Sequence, residues 1–514
     1  MLDFSNATYL DFSNPEIKKK QREAIDAVRA KFGKEIPNII DGKESFTTKK
    51  TISTNPARPS EIIGTFQKAG QKEANEAIEA AAKAFETWKY VPAEIRANYL
   101  FRAAEEVRKR RMEINAWMIS EIGKNYLEAD ADTCEAIDFL EFYGREAIRY
   151  SKNQEVTKYP GEIDEYRYIP LGVGVIIPPW NFPFAIMTGI TVSAIVTGNT
   201  VVLKPSSDTP MMAWLLVEIF KKVGLPDGVL NYLVASGAET GDYIVEHPKT
   251  RFISFTGSKE VGLRIFEKAN VVSPGQIWIK RVIAEMGGKD AIIVDSEANL
   301  EEAADAVVGS AFGFQGQKCS ACSRAIVDEK IYDKFVMMLK ERTEAIKVGD
   351  PMDDFKAGPS ASKNQYETVL KYIEIGKQEG KLLCGGNKVN SETNGYYIQP
   401  TIFIDLDENS RMMQEEIFGP VLSVCKTRNF EHSLAVANNT IYGLTGSVFT
   451  LNPQKIEKAK REFHVGNLYI NRKCTDAMVD VHPFGGFNMS GTDSKAGSRD
   501  YLALFLQGKS IGSR

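Results

Sequence analysis

The stretch Gly316-Gln317-Lys318-Cys319-Ser320-Ala321-Cys322 sets a cysteine three residues after a glycine. A cysteine after such a turn can sit exposed in a cleft, with a backbone N–H nearby to receive an oxyanion. A thiol is only a few per cent ionised near neutral pH, yet it is intrinsically nucleophilic. Ala284-Glu285-Met286-Gly287-Gly288-Lys289 ends an apolar run in a lone carboxylate before a Gly-Gly turn. Beside apolar residues such a carboxylate has a raised pKa and suits a general base. In Pro178-Pro179-Trp180-Asn181-Phe182-Pro183 an asparagine is held by a stiff backbone, and its amide can donate to a developing oxyanion. Lys204, in Thr200-Val201-Val202-Leu203-Lys204-Pro205-Ser206, leaves an apolar strand at the end where doubly wound sheets bind nucleotides. Phe255-Thr256-Gly257-Ser258-Lys259-Glu260-Val261-Gly262 reads as strand, glycine and helix start, where N–H groups can bind a pyrophosphate.

Taken singly, each motif has a plainer reading: a buried small cysteine, a surface glutamate, a proline-rich turn, a lysine at a strand end, an ordinary strand–helix turn. Cys319 and Cys322 form a CxxC, but no second pair is present to complete a zinc site, so no metal is expected. The four histidines do not pair at metal-ligand spacing and read as structural or surface residues.

The elements that must position these residues alternate in type. Residues 1–45 are polar, with one helical stretch at 15–31. Apolar residues then recur at helical spacing from 72 to 149. From Gly172 short apolar strands (172–177, 200–203, 229–234, 252–255) alternate with helices (210–223, 239–246, 259–268). A second alternating block runs from 291 to 475, with helices at 300–312 and 330–345 and a strand at 325–327. This pattern predicts βαβ units and parallel sheets, and 514 residues are enough for two such units in series. Sixty-four basic residues face 68 acidic ones, so no global field favours nucleic acid or an anionic membrane. No apolar run reaches the ~18 residues of a spanning helix. The start of the chain does not read as a signal peptide, and six scattered cysteines suit reduced thiols. The expected setting is cytoplasmic, with no nucleic-acid or membrane partner.

Jointly the motifs resemble the aldehyde dehydrogenase superfamily, together with Glu415-Glu416-Ile417-Phe418-Gly419-Pro420, Tyr442-Gly443-Leu444-Thr445 and Pro483-Phe484-Gly485-Gly486. They stand in family order from about Pro37 to Gly491. Glu135-Ala136-Ile137-Asp138-Phe139, Phe312-Gly313-Phe314 and Ser490-Gly491-Thr492-Asp493 are most similar to the L-glutamate γ-semialdehyde (1-pyrroline-5-carboxylate) dehydrogenases, whose long N-terminal arm also fits. The resemblance implies an α/β fold of two Rossmann-type domains and a small β oligomerisation arm. The implied division is an N-terminal arm at 1–45, an NAD-binding domain at 46–158 and 172–284, a catalytic domain at 285–480, and the oligomerisation arm at 159–171 and 500–514. It implies a homodimer or higher homo-oligomer. It also implies NAD-dependent oxidation of a small aldehyde, most closely L-glutamate γ-semialdehyde to L-glutamate in proline catabolism. Cys319 would be the nucleophile, Asn181 an oxyanion donor and Glu285 the base that activates water. The cofactor would lie against Lys204, Ser207, Gly257, Ser258, Glu416, Phe418, Pro178 and Trp180. The substrate would meet Ser320, Asp476, Ala477 and Glu135.

The sequence departs from the family at two places. Cys474-Thr475-Asp476-Ala477 carries aspartate where the loop that binds the substrate carboxylate usually has glycine, and Asp480 also replaces a common glycine. Two like charges ~4 Å apart at an effective dielectric of ~20 repel by about 4 kcal/mol, unless Asp476 points away or pairs. Another small polar semialdehyde therefore stands as an alternative substrate, and a catalytically silent homologue as an alternative to an enzyme. Ser207 stands where NAD-preferring relatives carry a glutamate that grips the ribose hydroxyls and repels a 2′-phosphate. NADP+ is accordingly expected to support measurable turnover beside NAD+. Initial rates with the two cofactors test this, and no detectable rate with NADP+ would refute it.

Overall fold

The computed structural model describes residues 3–514. Two seven-stranded sheets organise the chain. In the first, the parallel strands Val173–Ile177, Thr200–Leu203, Leu230–Tyr232, Thr250–Thr256 and Arg281–Glu285 lie in the spatial order 3-2-1-4-5, numbered along the chain. This is the doubly wound order, and its switch point falls between Val173–Ile177 and Thr250–Thr256. The strands read Val-Gly-Val-Ile-Ile and Thr-Val-Val-Leu because helices cover both faces and leave no polar side. The second sheet has six parallel strands: Ala291–Val294, Arg324–Asp328, Thr401–Ile404, Val421–Thr427, Thr445–Phe449 and Asn467–Ile470. Lys381–Cys384 is antiparallel at one edge.

Three local differences from the sequence reading have clear physical origins. Residues 34–45, expected within a separate arm, form Lys34–Ile36, Asn38–Ile40 and Lys43–Ser45. The last two extend the first sheet as an antiparallel hairpin against Leu230–Tyr232. Strands of three residues are too short to show an alternating pattern. The helix Ala185–Val196 has no polar face; all but one of its residues are buried, so it has no amphipathic period to detect. The stretch expected as helix 239–246 begins as a π turn, Gly237–Gly241, before Asp242–Glu246. Ile163–Pro170 pairs antiparallel with Leu506–Ser513 as a separate two-stranded sheet, and the outer edge of Leu506–Ser513 has no strand partner among the described residues.

The packing turns on one ion pair. Lys124 precedes the helix Tyr126–Tyr150, and its ammonium donates to Asp132 Oδ2 at 2.7 Å, with both side chains fully buried. Asp132 Oδ1 also accepts from the N–H of Ala185, which starts the helix Ala185–Val196. The same ammonium lies over two rings, Phe182 at 4.0 Å and Phe314 at 4.8 Å. One cation thus joins the helical layer, the Asn181 loop and the turn before Cys319. Two charges taken out of water are tolerated only with this degree of hydrogen bonding.

Removing one partner strands the other charge. Lys124→Met is expected to destabilise the protein by about 3–5 kcal/mol. Adding Asp132→Asn to that variant should restore part of the loss. Thermal unfolding of the three proteins checks this, and equal melting temperatures for wild type and Lys124→Met would sink it.

Candidate active site

The helix Leu300–Phe312 delivers the chain into a tight turn over Gly313–Gly316. Phe314, Gln315 and Gly316 take left-handed φ values of 45°, 55° and 67°. Such a run is costly for side-chain-bearing residues and persists only when its surroundings fix it. Here Gln315 Nε2 donates to Pro359 O at 3.0 Å, and the Gln317 carboxamide accepts from the Ala361 N–H at 2.8 Å. Gly316 is required twice over, by its φ and because a Cβ there would lie 2.3 Å from the Gly419 carbonyl oxygen. The turn leaves Cys319 partly exposed in a cavity, while the other five cysteines are buried thiols. Asn181 Nδ2 donates to Gln317 O at 3.0 Å, which brings the Asn181 loop against the cysteine turn and leaves its second N–H uncommitted. Burial pushes the Cys319 thiol far above its ordinary pKa. The carboxylates of Asp290, Glu416 and Glu285 push it further, and only the Ser320 N–H pulls it down.

Glu285 ends the edge strand Arg281–Glu285 and lines the same cavity as Cys319. Its Oε2 accepts from the Gly486 N–H at 3.1 Å, and Oε1 accepts from the Ser494 hydroxyl at 2.5 Å. Burial raises its pKa to about 7 against these hydrogen bonds. Segment 490–494 is clamped beside it by Met286 N to Ser490 O at 2.7 Å and Thr492 N to Ala284 O at 2.9 Å. Neither Ser494 nor Gly486 carries a sequence signal for this role, and Gly486 stands out only as part of a glycine pair.

The remaining residues fall into two groups. Pro178, Trp180, Gly257 and Ser258 follow the two strands at the switch point of the first sheet, and Lys204 and Ser207 follow the neighbouring strand. Lys204 is 7% exposed, burial lowers its pKa to about 8, and its ammonium meets no acceptor among the described residues. Ser207 is exposed. Ser258 caps the helix Lys259–Ala269 through its hydroxyl. Glu416 accepts from the Gly288 N–H at 2.9 Å, and the Phe418 ring meets Trp180 edge-on at 5.2 Å. An unpartnered buried ammonium beside a switch point, with the N-terminus of the helix Lys259–Ala269 nearby in the chain order of the same sheet, suits a dinucleotide, whose ribose hydroxyls and phosphates need such donors.

On the other side of Cys319, Ser320, Asp476, Ala477 and Glu135 line the cavity. Burial, with Asp132 and Asp138 nearby, raises Glu135 to about 8. Asp476 has φ 66° and Asp480 φ 60°, so aspartate replaces glycine in a conformation that short polar side chains tolerate better than most. The Asp476 carboxylate is paired with Lys473 and lies 3.9 Å from the Lys318 ammonium. Lys318 in turn donates to Glu128 at 2.9 Å. Lysine pairing pulls the Asp476 pKa below its ordinary value in spite of burial. The expected repulsion is therefore met by two cations. The backbone N–H groups of Asp476 and Ala477 have no acceptor among the described residues. Lys318 stood in the cysteine motif without a role assigned to it, because only the fold brings residue 476 beside it. No metal-holding group of His, Cys, Asp or Glu occurs among the described residues.

Comparison with known proteins gives a consistent result. Residues 43–511 match the model of the aldehyde dehydrogenase family. The chain is 54% identical over 509 residues to a 1-pyrroline-5-carboxylate dehydrogenase of Geobacillus thermodenitrificans (strain NG80-2), covering 99% of this chain and 98% of that one. It is 55% identical over 504 residues to 1-pyrroline-5-carboxylate dehydrogenase 2 of Bacillus subtilis (strain 168), covering 98% and 97%. The crystal structure of 1-pyrroline-5-carboxylate dehydrogenase from Thermus with bound NAD superposes with a TM-score of 0.98 at 49% identity, covering 100% of this chain and 99% of that one.

The left-handed backbone at residue 476 makes a prediction. Asp476→Gly should keep the loop and change kcat/KM for a carboxylate-bearing aldehyde by less than about fivefold. Asp476→Val, β-branched at positive φ, should raise KM by about tenfold or more, since such strain amounts to about 1–3 kcal/mol. Steady-state kinetics of the two variants decide it; similar KM values in both would contradict the conformational account.

Proposed function

The chain belongs to the aldehyde dehydrogenase family, and from that premise we propose that it oxidises L-glutamate γ-semialdehyde to L-glutamate with NAD+ as the oxidant. The observation that carries the reading is that Cys319, Glu285, Glu135 and the Asp476–Ala477 loop face one cavity. What supports a substrate with both an amine and a carboxylate is the pairing of loop N–H groups and the Lys318 ammonium with the Glu135 carboxyl in that cavity. On this reading the substrate α-carboxylate takes the loop N–H groups, Ser320 completes that end, and Glu135 faces the α-ammonium.

Cys319 acts as the nucleophile. Its thiol is held protonated by burial and by three carboxylates, so ionisation needs a proton acceptor, and Glu285 is the base lining the same cavity. The sulfur then bonds to the aldehyde carbon. The oxyanion is met by the free Asn181 N–H and the backbone N–H of Cys319, which has no internal acceptor. The chemistry that NAD+ supplies when bound is acceptance of the hydride, which leaves a thioester on Cys319. Glu285 passes that first proton to solvent and then takes one from water, the oxygen adds to the thioester carbon, and the Cys319 thiolate leaves as the acid is released. Lys204, Ser207, Gly257 and Ser258, with Pro178 and Trp180, would hold the adenosine and pyrophosphate side of the cofactor; Glu416 and Phe418 would hold the nicotinamide riboside.

The division proposed for the chain is an NAD-binding unit at 46–158 and 172–284, a catalytic unit at 285–480, and an oligomerisation arm at 159–171 and 500–514. What supports a homodimer or higher assembly is the open edge of Leu506–Ser513, with Ile163 70% exposed on its partner strand. Six free thiols support a reducing, cytoplasmic setting. No helix of the described residues is long and apolar enough to cross a membrane.

NADH absorbance with L-glutamate γ-semialdehyde, succinate semialdehyde and propanal tests the reading. The glutamate compound should give the highest kcat/KM, and Cys319→Ala should give no turnover. A base must be ionised to work, so the rate is expected to rise with pH and level off above about 7, the Glu285 value. Glu285→Gln should lower the plateau by about 10²–10⁴-fold. Strong activity on succinate semialdehyde or propanal with little on the glutamate compound would move the substrate, and inactivity on all three would refute the proposal.

A further inference from the structure

Residues 6–10 run antiparallel along the helix Tyr126–Tyr150, and Tyr9 among them lines the cavity. The segment is stapled along its length. Asn6 Nδ2 donates to Asp138 Oδ2 at 3.0 Å and to Val479 O at 3.1 Å, so it joins the helix to the substrate loop. The Ala7 N–H donates to Asp138 Oδ1 at 2.7 Å, and the Leu10 N–H to Asp130 Oδ2 at 2.8 Å. Arg111 holds Asp130 through two 2.6 Å bonds and also donates to Thr8 O at 3.0 Å. Beyond each end a ring contact pins the chain, Phe4 on Phe142 at 5.2 Å and Phe12 on Tyr126 at 5.5 Å.

Tyr9 stands in the middle of this fixed span. Its neighbours are bonded to that helix or to Arg111, yet Tyr9 itself is 48% exposed and lines the cavity with Glu135 and Asp476. A large ring held half in water on a rigid backbone gains little by burial, so its position is not explained by packing. It faces instead the volume that a substrate tail would occupy. We propose that Tyr9 is a specificity-determining residue: its ring is the outer wall of the substrate cavity and limits the length of aldehyde that the cavity admits. This rests on the aldehyde-oxidising reading of that cavity.

The test compares initial NADH rates of the full chain with propanal, octanal and L-glutamate γ-semialdehyde for wild type, Tyr9→Ala, Tyr9→Phe and Tyr9→Trp. Tyr9→Ala should raise the octanal-to-propanal ratio of kcat/KM by about tenfold, the scale that hydrophobic pocket contacts provide. The change should lie mainly in KM for octanal, with the melting temperature held. Tyr9→Phe should leave the ratio within about twofold, because the ring and not the hydroxyl forms the wall. Tyr9→Trp should lower it, so the test does not depend on one variant folding. An unchanged ratio in both the alanine and tryptophan variants would overturn the proposal. A wild type inactive on every aldehyde would instead remove the functional reading, and this proposal with it.

Discussion

The buried pair of Lys124 and Asp132 is the interaction on which the site depends. Its strength is not the point, since a desolvated ion pair contributes little net stability. What it does is geometric. Asp132 divides its two oxygens between the lysine and the first N–H of Ala185–Val196, so the position of that helix is tied to the cation. Phe182 and Phe314 lie against the same ammonium, one beside Asn181 and the other within the turn that leads to Cys319. The oxyanion donor and the nucleophile come from different sheets, and this cation lies between them. An apolar side chain could fill the volume but could not fix three groups by directional contacts.

Electrostatics of the cavity work against the thiol and in favour of restraint. Three carboxylates surround Cys319, and each opposes ionisation of the sulfur. A thiol in that state is a poor nucleophile until a proton can leave. Glu285 lies close enough to contribute to the thiol's shift and carries a pKa of about 7, so near neutrality it is divided between acid and base. On the proposed mechanism the same group that suppresses the resting thiol relieves it. The lysines around Asp476 solve a separate problem by keeping one more carboxylate from adding to the negative field near the substrate.

Much of this was legible in the sequence, because short apolar strands with helices between them give a periodic signal. The motifs around Cys319, Glu285 and Asn181 lie at the ends of such strands or on glycine turns. What stayed hidden has a common cause: it depends on residues far apart in the chain. Lys318 and Asp476 are near neighbours only after folding, as are Glu285 and Ser494. Asp476 looks like a defect in an anion site because its sequence context shows its charge and not its φ or the Lys318 ammonium that the fold brings beside it. The almost wholly buried Ala185–Val196 hid for a different reason, since burial on every side erases the period from which helices are read.

The staple between Asn6 and Val479 spans 473 residues. Asn6 is made 473 residues ahead of its partner carbonyl. Every other contact of the segment, to Asp130, Asp138 and Arg111, is available early, so the chain can lay this strap along the helix long before the substrate loop exists. The wall of the cavity is thus raised first and its floor joined to it last. A nascent chain cannot enclose a substrate until the segment around Val479 has left the ribosome.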